Sequence, residues 1–255
     1  MGHDVVIVDN LVTGKRENIP GKAIFYHMDI TDEKLSDVFS KEKPDVVSHH
    51  AAQMDVRKSV TDPQYDARVN VLGGLNILQN CIRYKVQKLI FASTGGAIYG
   101  EQDYFPADEN HPLRPLSPYG ITKLTTEKYL YFYQQTYGFD YTILRYANIY
   151  GPRQNPHGEA GVVAIFTQKI LAGQQPVING DGKQTRDYVF VGDEVRANEM
   201  VLEEGSGKIY NLGTGIETDV NQLFGLVVKH TAVKVKEEHG PAKAGEQMRS
   251  VLSSQ

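Results

Sequence analysis

Leu89-Ile90-Phe91-Ala92-Ser93-Thr94-Gly95-Gly96-Ala97-Ile98-Tyr99-Gly100 is the stretch from which the fold is read. An apolar run that ends in two hydroxyl residues and two glycines spells a buried strand opening into a loop. In open α/β sheets, ligands bind outside the carboxyl ends of the strands. Ser93 and Thr94 therefore stand where a hydroxyl can meet a substrate, or they simply cap a turn.

Downstream comes Tyr119-Gly120-Ile121-Thr122-Lys123, at the start of a helical pattern. Residues i and i+4 share a helix face. An ammonium beside a phenol favours the phenolate, which suits a general acid/base acting on a substrate hydroxyl. The same spacing also occurs on ordinary solvated helix faces.

Outward from these motifs, strands and helices alternate. The pattern predicts strands at 4–8, 23–27, 45–49, 87–92, 141–146 and 208–212. It predicts helices at 32–40, 66–84, 118–136, 160–173, 193–203 and 219–231, with Asp32 and Asp193 as N-caps. Such alternation means a mostly parallel sheet covered by helices. Segments 95–117 and 150–160 are rich in Gly, Pro and polar residues, as loops at a site are.

The chain has 255 residues, 40% hydrophobic and 23% charged, with a net charge of −4. These values suit an enzyme-sized globular chain and give no support for nucleic-acid or anionic-membrane binding. Cys81, the single cysteine, excludes an intramolecular disulfide and points to a cytoplasmic setting. It lies in an apolar helical pattern with Leu75, Leu78 and Ile82, as a core thiol would. No apolar run approaches the roughly 18 residues of a transmembrane helix, and the N-terminus lacks a signal-peptide pattern. His49-His50 does not form a metal pair, because neighbours on a strand face opposite ways and no Cys/His cluster has zinc spacing. The aromatic stretch Tyr129, Tyr131, Phe132, Tyr133 and Tyr137 fits core or a helix–helix interface.

Taken in order, these motifs resemble the extended short-chain dehydrogenase/reductase superfamily, specifically its NAD-dependent sugar-nucleotide epimerases of the UDP-glucose 4-epimerase type. The match runs through Val8-Asp9-Asn10-Leu11, Asp29-Ile30, His50-Ala51-Ala52-Gln53, Ser59, Asp62-Pro63, Tyr65 and Asn70-Val71. After the Tyr/Lys pair it continues through Leu144–Arg153, Gly180-Asp181-Gly182, Arg186-Asp187-Tyr188 and Tyr210–Gly213.

The resemblance implies a Rossmann-like, doubly wound, mostly parallel sheet with a small substrate-binding region. The NAD-binding part would cover 1–150. The substrate part would cover 151–255, interleaved with the last strand and helix of the core at about 187–215. It also implies 4-epimerization of UDP-glucose and UDP-galactose through a 4-keto intermediate. Tyr119 would be the acid/base on the sugar 4-hydroxyl, and Lys123 would hold the nicotinamide ribose. A hydroxyl residue would orient the same oxygen, Thr94 in preference to Ser93. NAD would lie against Asp9, Asn10, Asp29, Ile30, Ala51, Ala52, Gln53 and Asn70 as well as Tyr119 and Lys123. Asn148, Arg186 and Arg249 would face the nucleotide diphosphate. Arg249 lies in a segment, Gly245–Ser250, similar to one that contacts the diphosphate in the family. A homodimer through helices 66–84 and 118–136 is implied too.

Gly95 and Gly96 stand where related 4,6-dehydratases carry acidic residues, which favours epimerization. Against this, the family's first strand and glycine-rich phosphate loop have no counterpart before Val5–Asp9, and the tail is short. The expectation is a chain truncated at both ends, with an inactive member holding NAD weakly or not at all as the alternative. With a central strand absent, the N-terminal strands are expected to rearrange or to bury their edge in a dimer.

Overall fold

A computed structural model describes residues 2–156, 161–242 and 247–254. The chain divides into two compact units. The first comprises Met1–Ser93, Ser117–Leu144 and Met200–Ile209; the second comprises Thr94–Leu116, Arg145–Glu199 and Tyr210–Gln255.

The chain begins with β1 (Val6–Asp9), β2 (Ile24–His27), α1 (Leu35–Glu42) and β3 (Val46–His49). Two short helices follow, α2 (Val56–Thr61) and α3 (Pro63–Ala67), and a π-helical stretch, Arg68–Gly73, leads into α4 (Gly74–Arg83). Then come β4 (Lys88–Thr94), α5 (Gly95–Ile98), α6 (Pro118–Tyr137) and β5 (Asp140–Tyr146). The later elements are β6 (Asn148–Tyr150), α7 (Val162–Leu171), β7 (Ile178–Asn179), β8 (Thr185–Arg186), β9 (Tyr188–Phe190) and α8 (Val191–Met200). The last are β10 (Lys208–Leu212), β11 (Thr218–Asp219), α9 (Val220–Thr231) and β12 (His239–Gly240).

One sheet has the order β10-β5-β4-β3 and another pairs β1 with β2. Both the β3–β4 and β1–β2 pairs are parallel, with Val46 opposite Lys88 and Val6 opposite Ile24. The expected rearrangement of the N-terminal strands does not occur. β1 stays beside β2 and does not move onto β3. Side-chain packing explains this: Val8, Met28 and Val47 all lie against the first unit's core, which includes Leu35, Leu78, Leu89, Phe91, Leu130 and Ile143. Apolar burial therefore holds β1 where hydrogen bonds on one side alone would not. Cys81 is in that core, and burial pushes its thiol up to about 12.

Helix α6 has clear punctuation. Ser117 Oγ accepts from the Gly120 amide at 3.1 Å, Pro118 occupies the first turn, and Gly138 ends the helix with φ +65°. Two expected N-caps are not caps. The Asp32 carboxylate bonds the Lys34 amide, in the turn before α1. Asp193 lies inside α8, which starts directly from β9, and pairs there with Arg196 at 2.8 Å.

In the second unit α7 and α9 share a core in which Phe166 meets Phe224 edge-on. β6 pairs in parallel with β9. Asp187, between β8 and β9, is 1% exposed. Its carboxylate accepts from the Thr214 hydroxyl (2.6 Å) and from the amides of Thr214, Gly215 and Leu252. Main-chain bonds also tie the segment around Ser250 to β8 on one side and to Ala107 on the other.

Candidate active site

The first unit holds the Tyr/Lys pair. The cap at Ser117 sets the helix start, so Tyr119 falls in the first turn of α6 and Lys123 one turn later. The Tyr119 amide donates to Ser59 Oγ at 3.2 Å. Lys123 is buried; its Nζ donates to the Ala92 carbonyl at 2.8 Å, 4.9 Å from the Phe91 ring centroid and 5.9 Å from that of Tyr119. Burial pushes the Lys123 ammonium down to about 8, against the opposing pull of the Asp66 and Glu127 carboxylates.

Ser93, the next residue after Ala92, is already engaged. Its hydroxyl donates to Glu127 Oε1 at 2.5 Å. That bond leaves Thr94 as the hydroxyl with the freer geometry: it makes no cap bond to the α5 turn.

Four further residues form a buried network under the pair. Asp66 accepts from Thr122 Oγ1 at 2.7 Å and from Gln53 Nε2 at 2.9 Å. Asn70 bonds both the amide and the carbonyl of Gln53. It sits on the π-helical stretch, which swings it toward the end of β3; such π turns are frequent at functional sites. The side chains of Gln53 and Asn70 thus shape the loop that carries Ala51 and Ala52, and Ala51 packs on the core.

At the carboxyl ends of β1 and β2, Asp9 Oδ1 accepts the Leu11 amide at 2.6 Å, and Asn10 Nδ2 donates to Asp29 at 2.7 Å. Burial opposes ionisation of Asp29, but bonds from Thr31 and Asn10 outweigh it and hold its carboxyl below the usual range. The Ile30 side chain is in the core and its carbonyl accepts from Asn76. Carboxylates at strand ends suit ribose hydroxyls, so these residues fit the adenosine end of a dinucleotide.

Within the second unit, Thr94 and Asn148 face one space. A Cβ built on Gly96 would lie 3.9 Å from Thr94 Oγ1 and 4.0 Å from Asn148 Oδ1. Gly95 is different, because a Cβ there would lie 2.3 Å from Leu252 Cδ1. Of the two glycines, then, Gly96 opens toward the candidate substrate hydroxyl and Gly95 is sealed by packing. Arg186 donates to the Thr185 carbonyl at 2.7 Å. Arg249 lies over the Phe105 ring at 3.6 Å, and its Nε donates to Glu217 at 3.0 Å. Glu217 also accepts from Thr185, and the Arg249 bond holds its carboxyl below the usual range. The neighbouring Gly245 and Glu246 lie outside the described residues.

The family model described as "NAD dependent epimerase/dehydratase family" matches residues 1–213. The chain belongs to that family. A putative UDP-glucose 4-epimerase from Methanocaldococcus jannaschii is 48% identical over 250 residues, which is 98% of this chain and 82% of that protein. The crystal structure of a UDP-glucose 4-epimerase from Thermotoga maritima, with UDP-glucose, has a TM-score of 0.97 at 48% identity, covering 99% of this chain and 82% of that one. A Thermus thermophilus UDP-glucose 4-epimerase in complex with NAD has a TM-score of 0.93 at 45% identity, covering 98% of this chain and 82% of that one. The family is described as NAD-dependent, and the Thermus thermophilus relative is in complex with NAD.

Some of the site was not anticipated. Glu127 follows Lys123 by one helical turn, a spacing that is visible in the sequence. Asp66 and Leu252 carry no such signal. His49, 4% exposed, stacks at a tilt on Phe91, and burial pushes it down to about 3, so it is a neutral core histidine. No group of three or more His, Cys, Asp or Glu able to hold a metal is found among the described residues. No helix among them is long and apolar enough to cross a membrane.

Proposed function

We propose that this chain is an NAD-dependent epimerase that inverts C4 of a UDP-sugar, interconverting UDP-glucose and UDP-galactose. The observation that carries the proposal is the Tyr119/Lys123 pair on α6, with Lys123 buried on the carbonyl of the strand that ends in Ser93 and Thr94. The relatives' names and their UDP-glucose and NAD complexes support it.

Each residue then has a task. The Tyr119 phenolic oxygen takes the proton from the sugar 4-hydroxyl and later returns one. The Lys123 ammonium donates to the nicotinamide ribose and stabilises the Tyr119 phenolate. Thr94 offers its hydroxyl to orient a sugar oxygen, and Asn148, which faces the same space as Thr94, helps place the substrate. Arg186 and Arg249 supply positive charge for the diphosphate, with Arg249 exchanging its Glu217 partner for phosphate oxygens. Asp9 accepts the adenosine ribose hydroxyls. NAD, when bound, supplies the oxidising and reducing equivalents for C4. Gly96 places no acid beside Thr94, so this position offers no side chain to assist loss of water from the sugar.

A homodimer through the helical segment 66–84 and α6 fits the first unit's surface. Leu72, Ile121, Tyr131, Phe132 and Tyr137 are all exposed there, while Tyr133 is buried. A cytoplasmic setting fits a chain whose single thiol is buried.

The test is to denature the purified chain and quantify released NAD(H). Close to one nucleotide per chain, with interconversion of the two UDP-sugars, is the expected result. No nucleotide, together with no uptake of added NAD, overturns the proposal and favours an inactive family member.

A further inference from the structure

Two consecutive residues at the end of β4 are gripped by two side chains one turn apart on α6. The Ala92 carbonyl accepts from Lys123 Nζ at 2.8 Å, and the Ser93 hydroxyl donates to Glu127 Oε1 at 2.5 Å. Lys123 and Glu127 are 4% and 3% exposed, and Ser93 is 4% exposed. A carboxylate this deeply buried is costly unless it is bonded and faces a positive charge. Glu127 meets both conditions, since Ser93 bonds it and its charge acts on Lys123. Resting on the assignment of Tyr119 and Lys123 above, we propose that Glu127 is a positioning residue of the site: it clasps the end of β4 from which Thr94 extends, and together with Asp66 it supplies the negative charge that keeps the Lys123 ammonium protonated in a buried setting.

The other groups facing Lys123 do not make Glu127 redundant. Asp66 attracts the ammonium more strongly than Glu127 does, but burial outweighs the two carboxylates together, so the charge of each counts. His49, on β3, is a neutral imidazole. On β4 Lys123 meets the Phe91 ring and the Ala92 carbonyl, and on its own helix it meets the Tyr119 ring. Burial holds Lys123 down to about 8, so removing one of its two counter-charges would make a substantial fraction neutral near pH 7. A neutral amine can neither stabilise a phenolate at Tyr119 nor donate as an ammonium.

The test is an NMR titration of side-chain-labelled lysines, with the Lys123 signal assigned by its loss in Lys123→Arg. Glu127→Gln keeps the shape and an acceptor for Ser93 while removing the charge. In that variant the Lys123 titration should fall by about one pH unit, a tenfold change in its ionisation constant. Ser93→Ala keeps the charge and should leave the midpoint within a few tenths of a unit. Glu127→Asp, which keeps the charge but shortens the reach, should do the same. It also decides the matter if Glu127→Gln does not fold: a midpoint in Glu127→Asp near the wild-type value supports the proposal, and a fall of a unit or more overturns it. An unchanged midpoint in folded Glu127→Gln, or an ordinary lysine value in the wild type, also overturns it. The titration needs neither cofactor nor substrate, so a chain that lacks turnover still answers for Glu127, and the epimerase assignment fails or stands separately.

Discussion

Lys123 ties the stability of the first unit to pH, and the size of the effect follows from its burial. The ammonium is pushed from 10.5 to about 8, chiefly by burial, with Asp66 and Glu127 pulling the other way. At about 1.4 kcal/mol per pH unit, that gap is worth roughly 3 kcal/mol. The folded chain binds this proton less tightly than the unfolded chain does. Between about pH 8 and 10.5 the unfolded state therefore carries more protons, and stability rises with pH. Below about pH 8 the full penalty applies, and above 10.5 it is gone. The perturbation is Lys123→Met, made in a Tyr119→Phe background so that the phenol does not titrate in the same window. Urea unfolding free energies of the two proteins are measured from about pH 7 to 10 and subtracted. The difference should move in favour of the lysine protein by roughly 2–3 kcal/mol as pH rises. The absolute offset is not diagnostic, because methionine also leaves Asp66 and Glu127 facing an uncharged neighbour. A difference flat to within about 0.5 kcal/mol, or one that falls with pH, would refute the argument.

Asp187→Asn should destabilise the chain by roughly 3 kcal/mol in urea unfolding, because an amide cannot accept all the bonds that the buried carboxylate takes from Thr214, Gly215 and Leu252. A loss under about 1 kcal/mol would mean that this carboxylate is not what holds those segments. Gly95→Ala should cost about 1–3 kcal/mol by driving a methyl group into Leu252. Adding Leu252→Ala should cost less than the sum of the two single changes, and strict additivity would argue against the clash. Leu72→Glu with Phe132→Glu should halve the mass in sedimentation if the helical segment 66–84 and α6 form a dimer face; an already monomeric wild type removes that idea.

Alternation of apolar strands and amphipathic helices was enough to set the strand at Leu89–Ala92, the long helix from Pro118 and the pairing of Tyr119 with Lys123. These are local matters. A strand has period 2, a helix period 3.6, and Ser117, Pro118 and Gly138 mark a helix start and stop by their own backbone chemistry. The family motifs added the proposed roles of Thr94, Asp9 and Asn148. The helix starts at Asp32 and Asp193 were misplaced because an Asp bonds whichever amide lies nearby, and only the chain path decides which one that is. The tertiary structure alone decided that Ser93 is bound by Glu127, that Gly96 opens beside Thr94 and Asn148 while Leu252 closes Gly95, and that β1 keeps its place through core packing. Each of these depends on residues dozens of positions apart meeting in space, and burial then fixes what they can do. A lysine in the sequence is simply a cation. Set on the Ala92 carbonyl and away from water, Lys123 has its ammonium pushed down to about 8, with two carboxylates pulling the other way.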